Sequence, residues 1–398
     1  MRRLLFNNTV ATGFAIFSMF FGAGNVVFPL VIGRYAGDKN FYAVVGFLAT
    51  AVIVPLIGLI SMVLFNGDYK KFFGRLGRWP GNFVIFLSMS IIGPLAAIPR
   101  CIALSFTTVK SFLDNTFLEN INLFYFSLIS CIIIYILTVR KNNIVDILGR
   151  VLSPILLGAL TLIIIKGFWG APSAATIFGR RRVFLLEGLI EGYNTMDIFA
   201  GFFFSAVVIA GLKKHFCGTK KISQKELISK TLSAGLIGVS LLGLIYTGFS
   251  YLSSFYAEHL AAVEPDALIS AISFRVLGNY AGIIACIAVS LACLTTAIAL
   301  SLVFTDFLRT QVLKERLGYR STLLISMAIT FAVSNIGFAG IVRMIIPVLT
   351  VCYPALIVLA IVNIAYKLWG VRIVKTPVFA IFAFAFVYNL MFWIGVWK

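Results

Sequence analysis

The apolar run from Val10 to Ile32 is long enough to cross a bilayer as one helix, but its centre does not suit an unbroken one. That centre, residues 21–29, reads Phe-Gly-Ala-Gly-Asn-Val-Val-Phe-Pro. Proline removes a backbone donor and glycine loosens the helix, whereas lipid offers no partner for the groups set free. The run therefore predicts a helix broken at mid-membrane depth, where the break is buried in protein or lines a cavity.

The whole chain has the composition of a polytopic membrane protein. Of its 398 residues, 61% are hydrophobic and 12% are charged, and the mean hydropathy is +1.03. Soluble domains carry about 25% charged residues. No long polar stretch separates the apolar runs, so we expect one transmembrane domain over residues 1–398 and no separate catalytic domain. We expect the start, Met-Arg-Arg followed directly by the first run, to be retained rather than cleaved.

Apolar runs of roughly 20 residues recur along the chain and predict an all-α protein with about eleven transmembrane helices. Helices are expected because they satisfy their own backbone hydrogen bonds in lipid. The expected limits of the spans are 10–32, 41–65, 82–109, 121–139, 148–167, 188–212, 227–255, 276–307, 321–335, 342–366 and 377–397.

The net charge of +19 is interpreted as an orientation signal rather than a nucleic-acid site. Lys and Arg precede the first span and follow the second, fourth, sixth, eighth and tenth, whereas the opposite loops carry Asp and Glu. The positive-inside rule then puts the N-terminus in the cytoplasm. One loop, Arg180 to Arg182, falls on the predicted outside against this rule.

Spans one to five and six to ten are equal in number and opposite in orientation, as an inverted repeat requires. We expect repeat one over about 10–168, repeat two over about 188–366, and an extra C-terminal helix over about 377–397. The sixth span should then mirror the broken first span. It contains Glu-Gly-Tyr-Asn-Thr-Met-Asp at 191–197, which suits a lipid-facing helix poorly and predicts a second break.

The segment from Ser18 to Asn25 is the first candidate site. If the helix unwinds there, the amides of Ala23, Gly24 and Asn25 can receive a carboxylate at the positive end of the following half-helix. The carbonyls freed upstream can bind a cation. The alternative interpretation is close helix packing through small residues.

A second candidate lies in the eighth span. Thr295 and Thr296 offer two hydroxyl oxygens about one helical turn after the carbonyl of Ala292, and hard cations prefer oxygen ligands. The alternative is that both hydroxyls bond back to carbonyls of their own helix.

Charged residues within spans form a third group of candidates. Asp197 is expected to bind an ion, carry a proton or pair with Arg100, because an intramembrane charge is costly. Two prolines within residues 93–100 predict a kink that frees carbonyls towards a cavity, with Leu95 and Ile98 as apolar wall. Arg100 and Arg343 are candidate gating residues, and a snorkelling arginine is the alternative for both.

Catalysis and metal binding through cysteine or histidine find little support. The six cysteines form no Cys-x-x-Cys pair, and both histidines lie in predicted loops, so neither a disulfide framework, a metal site nor a histidine-based active site is expected. Paired carboxylates at one depth are also missing, and the sequence predicts a protein that is not an enzyme and needs no organic cofactor.

Four segments together resemble the bacterial branched-chain amino acid carriers, the BrnQ or LIVCS family of cation-coupled symporters. They are Phe-Gly-Ala-Gly-Asn-Val-Val-Phe-Pro at 21–29, Gly-Pro-Leu-Ala-Ala-Ile-Pro-Arg at 93–100, Gly-Tyr-Asn-Thr-Met-Asp at 192–197 and Ala-Cys-Leu-Thr-Thr-Ala at 292–297. The resemblance implies a LeuT-like five-plus-five inverted repeat with helices 1 and 6 broken. It also implies import of Leu, Ile and Val across a bacterial inner membrane, coupled to Na⁺.

The resemblance also implies a site. One sodium ion would lie between carbonyls of Ser18 and Phe21 and the Ala292, Thr295 and Thr296 oxygens. The substrate carboxylate would meet the amides of the first break and its ammonium the carbonyls near Tyr193 and Asn194. Its side chain would lie against Leu95, Ile98, Tyr193 and Phe199. The implied substrate-binding residues are Phe21, Gly22, Ala23, Gly24, Asn25, Leu95, Ile98, Tyr193, Asn194 and Phe199.

The chain departs from the family pattern at three points. Family members usually carry an apolar residue at Asn194 and Thr at Cys101, and they usually have twelve spans where eleven are expected here. The first departure leaves open a carrier for another neutral amino acid, and Asp197 leaves open coupling to H⁺. The sequence does not fix the oligomeric state or whether Asn25 serves a second sodium.

Overall fold

The computed structural model of the protein describes residues 2–112, 122–139, 153–216, 224–278 and 281–394, which are helical apart from turns and connections. The helices are α1 (Arg2–Phe20), α2 (Ala23–Ala36), α3 (Asn40–Leu48), α4 (Val54–Leu64), α5 (Tyr69–Gly74), α6 (Arg78–Ser90), α7 (Ala97–Phe112), α8 (Leu123–Val139), α9 (Ser153–Phe168), α10 (Arg181–Asn194), α11 (Asp197–Phe216), α12 (Gln224–Phe255), α13 (Ala257–Leu260), α14 (Leu268–Leu277), α15 (Ala281–Phe307), α16 (Tyr319–Ser334), α17 (Phe338–Trp369) and α18 (Lys375–Trp393).

Both expected breaks are confirmed. The first span consists of α1 and α2, which are separated at Phe21 and Gly22, a segment called here the first break. The sixth span consists of α10 and α11, which meet at an angle of 41°. They are separated at Thr195 and Met196, called here the second break.

Two further spans bend without ending. A π-helical stretch, Ala49–Ile53, joins α3 to α4, and another, Ile91–Leu95, joins α6 to α7. Gly93 leaves helical geometry at φ −91° and ψ −125°, just before Pro94. The expected kink in the third span is therefore present, since proline frees carbonyls and glycine tolerates the distortion.

Several limits of the spans differ from expectation. The sixth span begins at Arg181 rather than near residue 188, so two of the three arginines assigned to an outer loop lie in its first turn. Val276 belongs to the short helix α14, which ends at Gly278 with φ 72°. The eighth span, α15, begins only at Ala281. The hydropathy pattern did not reveal this helix end, because the surrounding sequence carries few charges.

Length and apolar composition alone qualify five helical stretches of the described chain to cross a bilayer, or six with the bent pair α10–α11. One of the five, Ala23–Leu64, is 42 residues long. It contains the turn Gly37–Lys39, at which α3 folds back on α2. Five shorter apolar helices accompany them, at Thr9–Phe20, Leu123–Val139, Ser153–Phe168, Tyr319–Ser334 and Lys375–Met391.

The helices pair in a reciprocal pattern. Both halves of the first span pack on α12, the seventh span, and both halves of the sixth pack on the second span, α3 with α4. The third and eighth spans pair with each other, as do the fourth and ninth. The fifth span contacts the first, seventh and eighth, and the tenth contacts the sixth, second and third. Exchanging spans one to five with six to ten reproduces these pairings, as expected for an inverted repeat.

Glycines allow the closest of these contacts. A Cβ added to Gly46 of α3 would lie 2.1 Å from the carbonyl oxygen of Leu185, and one added to Gly188 of α10 would lie 2.1 Å from that of Ala43. The two helices therefore touch backbone to backbone, which is how membrane helices associate without a hydrophobic driving force. This contact fixes the position of the second break beside the second span.

Candidate functional site

The first break presents backbone groups at the start of α2. The side-chain oxygen of Asn25 accepts the N–H of Gly22 at 2.9 Å, and the N–H of Asn25 reaches the carbonyl of Gly22 at 3.1 Å. Asn25 thus caps the half-helix from within its own first turn, since the first amides of a helix lack intrahelical partners. The nitrogen of the same side chain faces away from this helix, towards the sixth and seventh spans.

Five oxygens gather between the first break and the eighth span. The hydroxyl of Thr295 lies 3.2 Å from the carbonyl oxygen of Ser18 and 3.0 Å from that of Ala292. The hydroxyl of Thr296 lies 3.3 Å from the Ser18 oxygen and 3.0 Å from that of Phe21. The alternative in which both hydroxyls bond only within their own helix is excluded, because three of these four contacts cross to the first span.

This oxygen cluster has fewer protons than contacts. Each threonine hydroxyl carries one hydrogen and can donate only once, yet each lies within 3.3 Å of two carbonyl oxygens. Two of the four contacts therefore bring acceptor against acceptor at any moment. A cation among these oxygens would turn those contacts into ligation, and hard cations prefer such neutral oxygen ligands.

Gly22 makes the approach of Thr296 possible. A Cβ on Gly22 would lie 2.9 Å from Cγ2 of Thr296 and 3.2 Å from its hydroxyl oxygen. A larger residue at the first break would therefore push the eighth span away from the freed carbonyls.

The second break is held differently. Met196 adopts φ 64°, a left-handed conformation that costs roughly 1–2 kcal/mol in a residue with a side chain. The guanidinium of Arg100 donates to the carbonyl of Asn194 at 2.8 Å and to that of Thr195 at 3.5 Å. On the far side, the N–H of Ile198 donates to the hydroxyl of Tyr353 at 3.1 Å. A buried cation and a tyrosine thus take the backbone groups that the break sets free.

A buried network joins the two breaks. The side-chain amide of Asn25 donates to Oδ2 of Asp197 at 2.7 Å and also to the hydroxyl of Tyr246. The Tyr246 hydroxyl donates in turn to Oδ2 of Asp197 at 3.0 Å. Every hydrogen that Asn25 and Tyr246 direct into the network is used, and Oδ1 of Asp197 takes part in neither of these bonds.

Arg100 and Asp197 do not form the expected pair. Both side chains are buried, at 3% and 2% exposure, but the ion pairs found in the described part of the chain do not include them. Arg100 instead lies 5.4 Å from the ring of Phe28, and its Nε has no hydrogen-bond partner. In the described structure, the hydrogen bonds of both side chains therefore go to neutral groups.

Both breaks line one small cavity, called here the break cavity, of about 30 Å³. A volume of this size holds about two water molecules. Six of the residues singled out from the sequence line it together with the apolar Met19, Phe20, Ile92, Ala97, Ala200, Phe204 and Leu300. The six are Gly22, Ala23, Asn25, Arg100, Asp197 and Thr296.

The expected apolar wall lies elsewhere. Leu95 is 38% exposed and does not line the break cavity. Ile98 is fully buried but also does not line it. Ile92 and Ala97 are the apolar contribution of the third span, because the kink at Gly93 turns the helix between them. A regular helical period cannot anticipate such a rotation.

Tyr193 and Phe199 also lie outside the break cavity. The centroids of their rings lie 4.8 Å and 5.6 Å from the ring centroid of Tyr353, in an aromatic cluster between the sixth and tenth spans. The side chain of Asn194 points to Glu191, which accepts from it at 3.0 Å. Arg343 is exposed on α17 and lines neither this cavity nor the larger one described next.

A larger cavity of about 450 Å³, called here the large cavity, is lined by residues of α2, α10 and α13. Its charged lining consists of Arg34, Glu187, Glu191 and Glu258. Arg34 donates to the carbonyl of Leu260 at 3.0 Å and to that of Val263, which ties α2 to the segment after α13. Glu191 bonds Asn194, whose carbonyl accepts from Arg100, so hydrogen bonds link a residue of the large cavity to one of the break cavity.

With this geometry, comparison with known proteins identifies the chain. A family model described as branched-chain amino acid transport protein matches residues 6–396. The chain belongs to this family. The branched-chain amino acid permease BraB of Bacillus subtilis is 31% identical over 373 residues, which cover 92% of this chain and 81% of the permease.

Solved structures share the fold of this family member. The closed, bromovinylhydantoin-bound form of Mhp1, a nucleobase-cation-symport-1 family transporter, matches with a TM-score of 0.64 at 13% identity. The match covers 92% of this chain and 79% of Mhp1. A variant of the Eremococcus coleocola manganese transporter matches with a TM-score of 0.60 at 12% identity, over 96% and 86% of the two chains. Together with the two breaks, these matches show a LeuT-like fold.

Besides the apolar lining of the break cavity, two hydrogen-bonding residues of the site escaped the sequence analysis, Tyr246 and Tyr353. Both rings are fully buried within long apolar helices. A buried tyrosine hydroxyl usually finds a hydrogen-bond partner, so tyrosines at the depth of the breaks were a usable signal. Tyr353 also stands directly before Pro354, in a tenth span that proline interrupts twice.

Proposed function

We propose that this family member is a sodium-coupled symporter that imports Leu, Ile and Val by alternating access. The observation that carries the coupling ion is the cluster of five oxygens at Ser18, Phe21, Ala292, Thr295 and Thr296, which share two hydroxyl protons. The substrate class rests on the family and on the name of its Bacillus relative. We further propose a bacterial inner membrane as the location, with the N-terminus in the cytoplasm.

The ion would couple to the substrate through the first break. Its proposed ligands Ser18 and Phe21 lie within six residues of the amides of Ala23 and Gly24, which begin α2. An ion that holds α1 against the eighth span fixes the geometry of those amides, to which an amino acid carboxylate would bind. Occupation of one site thereby favours occupation of the other, as linkage requires.

Selectivity for branched side chains would come from the apolar wall. Ile92, Phe204 and Leu300 line the break cavity from three different spans. One methylene in an apolar pocket changes the binding free energy by only ~1–3 kcal/mol, so one pocket should accept all three amino acids. Asn194 does not oppose this proposal, because its side chain bonds Glu191 rather than lining the break cavity.

Transport requires the break cavity to open. At about 30 Å³ it is too small for leucine, whereas the large cavity of about 450 Å³ can admit one. The substrate would enter through the large cavity and reach the break cavity when α2 and α10 move apart. One sodium moving inward with a zwitterion carries net charge, worth ~2.3 kcal/mol at 100 mV, or roughly fifty-fold accumulation. No covalent chemistry is involved.

The alternative is a proton-coupled carrier that uses Asp197, or a carrier of another neutral amino acid. The buried carboxylate is the observation in its favour. The hydrogen bonds around it fit both forms, because Asn25 and Tyr246 donate to Oδ2 and leave Oδ1 able to carry a proton.

The test is uptake of labelled leucine into proteoliposomes, with an inward sodium gradient, with a proton gradient alone, and with neither. Accumulation only with sodium supports the proposal. Accumulation with a proton gradient alone would transfer the coupling role to Asp197. Absence of leucine uptake under both gradients would contradict the proposed substrate, and equilibration without accumulation would indicate a channel.

A further inference from the structure

Two oppositely charged side chains line one cavity but form no ion pair in the described structure. Arg100 and Asp197 both line the break cavity, and both are almost fully buried. Burying an ion is costly unless an opposite charge compensates it. Since the two do not pair within the described structure, a ligand with one positive and one negative end would compensate both.

Arg100 is the less satisfied of the two. Its two terminal nitrogens donate to the neutral carbonyls of Asn194 and Thr195, and its Nε donates to nothing. Its Nη2 lies 2.5 Å from the point where a Cβ on Gly24 would be, so the guanidinium lies against the first turn of α2. A helix N-terminus favours anions and disfavours cations. The guanidinium and the amides of α2 therefore present positive charge to the same point.

Asp197 provides the negative end. The hydrogen bonds from Asn25 and Tyr246 both end on Oδ2. A carboxylate has about four acceptor positions on its two oxygens. Asp197 therefore retains capacity for a further donor, and it lines the cavity into which such a donor would enter.

We infer that the substrate is held by its two charged ends, the α-carboxylate by Arg100 with the first amides of α2, and the α-ammonium by Asp197. The inference rests on the proposed function and makes Arg100 and Asp197 specificity-determining residues for a zwitterion. It replaces the expectation that the ammonium meets the carbonyl of Asn194, because that carbonyl accepts from Arg100.

Substrate binding would then exchange partners at the second break. Arg100 leaves neutral carbonyls for a carboxylate, and charge-assisted hydrogen bonds are roughly twice as strong as neutral ones. The carbonyls of Asn194 and Thr195 are released by the same step. Arrival of the substrate at the first break thus loosens the contact that holds the second break closed.

The test compares ligands that lack one charged end. Purified protein is titrated calorimetrically with leucine, with leucinamide, which lacks the carboxylate, and with 4-methylpentanoate, which lacks the ammonium. Arg100→Gln should weaken leucine binding by ~30-fold or more and leave leucinamide binding within a few-fold of the unaltered protein. Asp197→Asn should weaken leucine and leave 4-methylpentanoate unchanged. Equal losses for leucine and leucinamide in Arg100→Gln would overturn the inference.

Two further variants keep the test decisive if Arg100→Gln does not fold. Gly24→Ala displaces the end of the Arg100 side chain but keeps its charge, and it should lower the preference for leucine over leucinamide. An unchanged preference would overturn the inference. The matched control is Arg75→Gln, since Arg75 also donates to uncharged groups, Asn363 at 2.7 Å and the carbonyl of Arg372 at 3.4 Å, away from both cavities. It should leave the preference unaltered.

The same titrations separate this inference from the proposed function. Absence of leucine binding by the unaltered protein would contradict the proposed substrate. If another neutral amino acid binds, the ratio of its dissociation constant to that of its own amide then measures the role of Arg100.

Discussion

The two breaks have the same place in the two halves of the fold but use their freed backbone groups in opposite ways. At the first break, the carbonyls of Ser18 and Phe21 meet neutral threonine hydroxyls. At the second, the carbonyls of Asn194 and Thr195 meet the fixed cation of Arg100. We therefore propose that the first break binds an exchangeable cation, whereas the second already contacts the fixed cation of Arg100. Inverted repeats preserve the backbone, and the side chains packed against each break decide its role.

The comparison predicts its largest effect at the hydroxyls of the first break. Thr295→Val together with Thr296→Val removes two oxygens from the proposed ion site, each worth ~1.5–3 kcal/mol to a charged partner. The sodium concentration for half-maximal leucine uptake should rise by ~100-fold or more. Uptake measured against sodium concentration in proteoliposomes checks this. The control is Thr305→Val on the same helix, whose buried hydroxyl has no partner; unchanged sodium dependence in the double variant would remove both threonines from the site.

The same substitution near each break should have different consequences. Gly22→Ala brings a Cβ within 2.9 Å of Thr296, and Gly192→Ala brings one within 1.9 Å of the hydroxyl of Thr50. Overpacking costs ~1–3 kcal/mol. We expect Gly22→Ala to weaken sodium dependence and Gly192→Ala to lower the thermal midpoint of unfolding. Gly243→Ala is the control, because its nearest neighbours lie 3.8 Å away. If Gly22→Ala and Gly192→Ala both differ from Gly243→Ala in sodium dependence, or both in the thermal midpoint, the expected contrast between the two breaks is contradicted.

The network between the breaks should have an intermediate effect. Tyr246→Phe removes the hydroxyl that donates to Asp197 at 3.0 Å, and a hydrogen bond to a charged group contributes ~1.5–3 kcal/mol. Leucine uptake should fall about tenfold or more at a fixed sodium gradient. With sodium as the proposed coupling ion, uptake by the unaltered protein should not depend on a pH gradient. A pH-gradient dependence that disappears in Asp197→Asn would instead identify Asp197 as a proton carrier.

The smallest effect concerns the connection that follows α2. The carboxylate of Asp38 accepts the N–H of Ile177 at 2.9 Å, and this bond, followed by that from Lys39, lowers the pKa of Asp38 from its ordinary value of 3.8. A group whose pKa is lowered on folding stabilises above its unfolded pKa and loses the effect as pH falls through its folded value. Asp38→Asn should slightly lower the thermal midpoint at neutral pH and lower it less at about pH 3. An equal difference at both pH values would exclude this charge effect.

The fold could be predicted from the sequence because lipid enforces it. Apolar runs, the glycines and proline of the first span, and the polar residues 191–197 indicated the spans and both breaks. The spacing of Ala292, Thr295 and Thr296 indicated part of an oxygen site, and the resemblance to the carrier family added the carbonyls of Ser18 and Phe21. The structure brings these five oxygens together. The limits of the spans were least predictable, since α14 ends at Leu277 and α15 begins only at Ala281, within what the sequence presents as one apolar run.

The sequence by itself determined the membrane class and the positions where helices break, because an apolar solvent tolerates neither freed amides nor polar residues without protein partners. Only the tertiary structure decided which group satisfies each break. Arg100 reaches a carbonyl 94 residues away, and Asn25 reaches a carboxylate 172 residues away. No local pattern encodes such pairings. They depend on how ten spans pack, and that packing turned Leu95 outward and placed Tyr246 and Tyr353 beside the breaks.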